Sequence, residues 1–261
     1  MRVPCFSFIG TIGFAGALLL GGCNNSALDN ALGLGTTNGS ATGVWSGSDS
    51  VSGLGVTALI NSAGQATFIR SDGVQFVGTV PASGSTLTVP VDGYTDFGNA
   101  FSDGSTYGTG TLNGTVTSGS SISATLTFTT SGGTAVNGTW SLNYESQSTT
   151  ASSASAISGN YTDASTNAVL SINANGVMNS QNPANGCVLN GSVSTNDTTT
   201  NIYEVTYSYG NCSGNYAVLN GVQFTGLATV TTSASAPQLT MAVTGASSSA
   251  QYGIVSNLTG G

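Results

Sequence analysis

Ile122-Ser123-Ala124-Thr125-Leu126-Thr127-Phe128-Thr129 is the stretch that decides the fold. Apolar and hydroxyl side chains alternate at every step. In an extended backbone Ile122, Ala124, Leu126 and Phe128 therefore face one way, and the serine and threonines face the other. The same period runs outward in both directions. Trp140, Leu142 and Tyr144 alternate with Thr139, Ser141 and Asn143. Further on, Tyr203, Val205, Tyr207 and Tyr209 alternate with Glu204, Thr206 and Ser208, and Val222, Phe224, Gly226, Ala228 and Val230 form another such face. Leu239, Met241 and Val243 continue the series. One buried and one wet face per strand is the mark of antiparallel sheet. Turn-forming pairs divide the runs: Ser71-Asp72-Gly73, Asp92-Gly93, Asp103-Gly104, Asn137-Gly138 and Asn175-Gly176.

The chain also echoes itself. Gly43-Val44-Trp45 is answered by Gly159-Asn160-Tyr161, Ile60-Asn61-Ser62-Ala63-Gly64 by Ile172-Asn173-Ala174-Asn175-Gly176, and Gly78-Thr79-Val80 by Gly191-Ser192-Val193. Leu112-Asn113-Gly114 is matched with Leu219-Asn220-Gly221, Leu126-Thr127-Phe128 with Leu239-Thr240-Met241, and Trp140 with Tyr252. A shared order at a nearly constant offset predicts a duplication. The expected plan is a leader over 1–22, a lipidated cysteine and tether over 23–42, a β-domain over 43–146, a Ser/Thr/Ala linker over 147–156 and a second β-domain over 157–261. The fold class is all-β, with two tandem antiparallel meanders. Each is expected to be a small up-and-down barrel, with a β-sandwich as the alternative. Gly108, Gly110 and Gly114 on the face of Leu112 and Val116 favour the barrel, because a closing sheet needs bends. A Gly-x-Trp or Gly-x-Tyr opening followed by a meander resembles the calycin barrels, the lipocalin and avidin group. The lipocalin arginine against the first-strand Trp has no counterpart here, so no ligand-binding residue is carried over.

Met1–Gly22 reads as a leader that ends before Cys23. Arg2 is basic, Phe6 to Leu20 is mostly apolar, and Leu20-Gly21-Gly22-Cys23 closes the run. This resembles the lipobox of bacterial lipoproteins. The resemblance implies cleavage before Cys23 and lipid (diacylglycerol and acyl groups, palmitate among them) on that residue. Asn24, where inner-membrane lipoproteins usually carry Asp, implies the outer membrane of a Gram-negative cell, with the domains facing either the periplasm or the exterior. Cys5 leaves with the leader, which makes Cys187 and Cys212 the remaining pair in an exported chain. A disulfide between them is expected, against a two-Cys metal site that lacks His and CxxC spacing.

Composition excludes much chemistry. The chain has two basic residues, ten acidic ones and no His, for a net charge of −8. With Arg70 as the one cation after the leader, phosphate-based nucleic-acid binding and a polybasic membrane patch are excluded. His-dependent nucleophiles, lysine bases and zinc sites lack their residues. No cofactor is implied, and the chain is expected not to be an enzyme. Asp92, Asp96 and Asp103 are the one candidate carboxylate group, for glycan hydrolysis or calcium. The plainer reading makes Asp92 and Asp103 turn residues and Asp96 a solvated loop charge. Glu145, Asp163 and Glu204 are expected on the wet face or at strand ends. Tyr203, Tyr207 and Tyr209 are read as core rather than cavity lining.

The leading expectation is thus a non-catalytic, lipid-anchored envelope protein acting as a structural or adhesive module, with the membrane as partner through its lipid and an envelope or extracellular partner beside it. The alternative is a calycin-like carrier with a small apolar ligand in a barrel lined by residues such as Tyr203, Val205, Phe224 and Met241. The first predicts filled cores and the second a cavity.

Overall fold

A computed structural model describes residues 40–81, 83–232 and 236–261. Cys23 and the leader lie outside the described residues. The first meander comprises β1 (Gly43–Asp49), β2 (Gly55–Ile60), β3 (Gln65–Arg70), β4 (Gln75–Thr79), β5 (Thr86–Tyr94), β6 (Tyr107–Thr117), β7 (Ser121–Thr130) and β8 (Ala135–Tyr144). The second comprises β9 (Gly159–Thr162), β10 (Val169–Ile172), β11 (Val177–Gln181), β12 (Val188–Ser194), β13 (Tyr203–Gly210), β14 (Gln223–Thr232), β15 (Pro237–Ala246) and β16 (Gln251–Gly260). Each meander closes on itself as an eight-stranded antiparallel barrel, β1 against β8 and β9 against β16. Closure removes the sheet edges that a sandwich would leave exposed. Between the barrels, Ser146–Thr149 forms a 3-10 turn and α1 (Ala154–Ile157) a single helical turn, capped by Ser153 Oγ accepting from the Ala156 N–H at 3.0 Å.

The duplication is visible atom by atom at the start of each barrel. Trp45 Nε1 donates to the Ala41 carbonyl at 2.8 Å, and Tyr161 Oη donates to the Ile157 carbonyl, also at 2.8 Å and also four residues back. The Asn61–Gly64 and Asn173–Gly176 turns match as well. Each glycine N–H donates to the asparagine carbonyl, and each glycine carbonyl accepts from a valine N–H, that of Val80 just past β4 or of Val193 in β12. Both glycines have positive φ, +83° and +79°, where a side chain would be strained.

Two of the expected turns lie inside strands. Gly93 is in β5 and Gly138 in β8, and neither has positive φ. Their small size serves close packing instead. A Cβ on Gly93 would sit 2.4 Å from Phe128, and one on Gly138 would sit 2.7 Å from Trp140 Nε1. Gly73, Gly104 and Gly176 do turn, with φ of +85°, +83° and +79°.

Outward-facing apolar residues join the barrels. Val44, Leu59 and Ile69 from β1–β3 pack with Ile202, Leu227 and Ala242, all buried, and with half-buried Val255. Three polar side chains of this contact are paired across it. Gln75 Nε2 donates to the Val243 carbonyl at 3.0 Å, Asn61 Nδ2 donates to Glu204 Oε1 at 3.1 Å, and the Val255 N–H donates to Asp96 Oδ1 at 3.0 Å. The described residues, from Ser40 onward, thus belong to one compact unit. Ser148, buried in the connecting turn, accepts the Val44 N–H on its Oγ and the Asn201 N–H on its carbonyl.

Candidate functional site

The inner faces of the barrels differ, and the strand registers say where. Aligned at Trp45 and Tyr161, the two barrels' ladders give the same residue correspondence whether followed forward from β1 and β9 or back from β8 and β16. Trp45 pairs with Ala58, which pairs with Phe68, which pairs with Phe76. In the second barrel the same walk reads Tyr161, Leu170, Ser180 and Leu189. Continuing through the remaining strands, Gly93, Gly110, Phe128 and Trp140 correspond to Tyr209, Phe224, Gly245 and Ser256.

Barrel 1 is filled by rings. Phe68 lies 5.4 Å from Trp140, Phe76 lies 5.6 Å from Trp140 and 5.2 Å from Phe128, and Phe101 caps Phe128 at 5.6 Å. Barrel 2 has Ser180, Leu189, Gly245 and Ser256 at the four corresponding ladder positions. Tyr207, Tyr209 and Phe224 refill part of that volume from the opposite wall, with Tyr207 and Phe224 stacked at 5.4 Å. A cavity of about 310 Å³ is left, near the small end of the usual range for ligand pockets. Ser180, Leu189 and Ser256 line it, with Leu170, Met241, Ile254 and Leu258 supplying further apolar wall.

The cavity opens where barrel 2 is least closed. In barrel 1 the closing ladder runs from Trp45–Tyr144 to Asp49–Trp140. In barrel 2 it is reduced to Thr162–Thr259 and Tyr161–Gly260. The β9–β10 loop takes over beyond Thr162 and brings Asp163 and Thr166 to the rim. Barrel 1 contributes the opposite lip. Asp96 forms a parallel bridge with Gly253, and Phe97 packs against Tyr216 at 5.3 Å and Tyr252 at 6.0 Å. The approach is tight: a Cβ on Gly253 would lie 2.7 Å from Tyr94 Cβ.

Cys187 and Cys212 form the expected disulfide, with their Cα atoms 4.0 Å apart. It ties the start of β12 to the loop that carries Tyr216 and Leu219 over the cavity, and Cys187 is itself a lining residue. Asn220 fixes the same loop, accepting the Cys212 N–H at 2.8 Å and donating to the Cys212 carbonyl at 3.0 Å.

The electrostatics are one-sided. Burial raises the Asp96 carboxyl above the ordinary range, although the Val255 N–H works against it. At Asp163 burial also pushes upward, but hydrogen bonds from the Ser165 and Thr166 side chains and N–H groups outweigh it and hold the group low. Arg70, the sole basic side chain among the described residues, is paired with Asp72. It faces an adjoining groove of about 660 Å³ between the barrels, which shares Asp96, Val255 and Asn257 with this cavity, and does not itself line the cavity.

Of the three candidate carboxylates, only Asp96 reaches the cavity. It is half-buried against barrel 2 rather than a solvated loop charge, because the loop carrying it serves as the second barrel's lip. Asp92 lies on the outer face of β5 rather than in a turn and accepts from Tyr107 Oη at 2.8 Å. Asp103 is a turn residue, held by Ser105 and Thr130. Glu145 accepts from Ser46, and Glu204 joins Asn61 and Asn196. No group of three or more His, Cys, Asp or Glu with metal-binding proximity occurs among the described residues.

Tyr203 and Tyr207 are core, with buried hydroxyls. Tyr209 lines the cavity, and burial raises its phenol above its usual range. From the set Tyr203, Val205, Phe224 and Met241, only Met241 faces the hollow. Ser180, Leu189 and Ser256 escaped the sequence reading. The signal for Ser180 is present in the repeat, since the spacing that sets Ile60 against Ile172 also sets Phe68 against Ser180. Ser256 is hidden because loops of unequal length shift the later strands. The ladder sets Trp140 against Ser256, not Tyr252, and sets Leu112 against Gly226, while Leu219 lies in the loop before β14. In comparisons with known proteins, no family model and no curated protein matched the chain.

Proposed function

We propose that this chain is a non-catalytic, lipid-anchored protein of the Gram-negative outer membrane whose second barrel binds a small ligand and whose first is a structural module. The observation that carries the binding role is the exchange of the Phe68 and Trp140 rings for Ser180 and Ser256 at the same ladder positions, which leaves a lined hollow in barrel 2. The calycin resemblance is compatible with this division of labour. The anchor rests on the Leu20-Gly21-Gly22-Cys23 pattern. Support for a non-catalytic role comes from the absence of His and Lys in the sequence and from the separate partners of Asp92, Asp96 and Asp103.

Native mass spectrometry of the full exported protein in mild detergent tests the binding role. A stoichiometric small-molecule adduct is expected that is lost on unfolding and absent from Leu189→Trp, which fills the hollow. Equal adducts in the wild type and in folded Leu189→Trp would place the ligand elsewhere and refute the assignment. The structural reading of barrel 1 draws on its ring-filled core, where the same experiment should find no second adduct.

A further inference from the structure

We infer that the ligand of barrel 2 is a planar aromatic molecule of about indole size that carries no negative charge. The inference rests on the binding role proposed above and specifies its chemistry. Barrel 1 acts as an internal template. At ladder positions matching Ser180 and Ser256 it holds a benzyl and an indole ring, 5.4 Å apart and tilted by 40°. The two barrels share strand count and corresponding ladder positions, so the hollow left beside Tyr207, Tyr209 and Phe224 in barrel 2 lies in space that ring side chains fill in barrel 1. The surviving wall suits a flat guest. Leu170, Leu189 and Met241 offer apolar faces, and Tyr209 offers a ring edge or face. The Ser180 and Ser256 hydroxyls add hydrogen-bonding groups for a ring N–H or a small substituent. At about ten water volumes, the hollow takes one fused bicycle or a substituted single ring rather than a long acyl chain.

The charge condition comes from the rim. Asp96 and Asp163 both line the cavity, and the one described cation, Arg70, is engaged with Asp72 outside it. An anionic head group would meet two carboxylates and no counter-charge. An ammonium group would meet those carboxylates together with the Phe97, Tyr209 and Tyr216 rings, whose faces attract cations.

Titration calorimetry of the full exported protein with four probes tests this: indole, tryptamine, indole-3-acetate and n-octanol. Indole should bind at least tenfold tighter than n-octanol, and tryptamine at least tenfold tighter than indole-3-acetate. Asp96→Asn, whose amide oxygen can still accept the Val255 N–H, should shrink the tryptamine-to-acetate ratio severalfold. Ser180→Phe/Ser256→Trp, which restores the barrel 1 rings, should weaken indole at least tenfold. Leu189→Phe, restoring the residue type of Phe76, should do the same if the double variant does not fold. Octanol binding as tight as indole would overturn the ring assignment while leaving the binding role intact. Acetate binding as tight as tryptamine would overturn the charge condition. Silence from all four probes would overturn the binding role itself.

Discussion

Gly253 is the residue that lets the two barrels meet. Its missing side chain leaves room for Tyr94, for Gln75 Nε2 at 2.8 Å and for the Thr95 carbonyl at 2.9 Å from the position a Cβ would take. Two of these neighbours are backbone or Cβ atoms that cannot swing aside. Gly253→Val should therefore cost about 1–3 kcal/mol, the usual range for overpacking, and should loosen the Asp96 lip. Denaturant unfolding of the variant measures the cost. At the opposite end, Tyr161→Phe strands the Ile157 carbonyl without its partner. A loss of about 1–2 kcal/mol is expected, since a buried acceptor is left unmet. Single residues were legible in the sequence to unequal degrees. Cys187 and Cys212 could be paired by elimination, but Gly253 could not be singled out among 38 glycines, because its role comes from a surface on the other barrel.

At the scale of elements, the strands were legible because alternation is local, and the barrels because inward glycines recur. The seam was not. Its opening follows from β9 ending at Thr162 where β1 continues to Asp49, a difference set by the Asp163–Thr166 hydrogen bonds and not by any break in hydrophobic period. The disulfide belongs to the same mouth. Reduction should cost about 2–4 kcal/mol by releasing a loop with a sequence separation of 25. It should also weaken any ligand of barrel 2, because Tyr216 and Leu219 lose their anchor. Unfolding and binding measured with and without reductant separate the two effects.

At the scale of the whole molecule, charge sets a distinctive pH response. Hydrogen bonds hold Asp103 and Asp197 below the ordinary carboxylate range, and they hold Asp49 and Asp163 there against the upward push of burial. Such groups stabilise the fold above their unfolded values, and the contribution is lost as pH falls through the folded ones. Asp96 has the opposite sign. Its ionised form is disfavoured by burial, so its penalty is relieved on acidification. At the alkaline end, burial and the nearby Asp92 charge push Tyr94 up to about 12, and burial likewise raises Tyr161, Tyr203 and Tyr207. The unfolded chain ionises these phenols first, so stability falls as pH rises above about 10. Without His or Lys, a plateau is expected between about pH 6 and 9. Thermal melts across that range should agree, and a midpoint that drifts within it would contradict the assignment.

The barrel–barrel contact predicts how the molecule unfolds. Leu59 and Leu227 point outward from their barrels yet are buried, at 0% and 2% exposure. Leu227→Asp should split a single unfolding transition into two, as each barrel keeps its own core but loses the shared one. The contact was hard to read from sequence. Leu227 interrupts the polar face formed by Gln223, Thr225 and Thr229, but such a break gains meaning only once Leu59 and Ile69 are seen opposite it.

The hollow of barrel 2 is the part of the Phe68 and Trp140 ring space that Tyr207, Tyr209 and Phe224 leave unfilled. The most direct test of this central claim is the stability of the Ser180→Phe/Ser256→Trp variant in denaturant unfolding without ligand. If the rings enter a prepared hollow, stability rises by about 0.5–2 kcal/mol, as for other cavity-filling substitutions. A loss of about 1–3 kcal/mol, the signature of overpacking, would show that the hollow is not the vacated place of those rings.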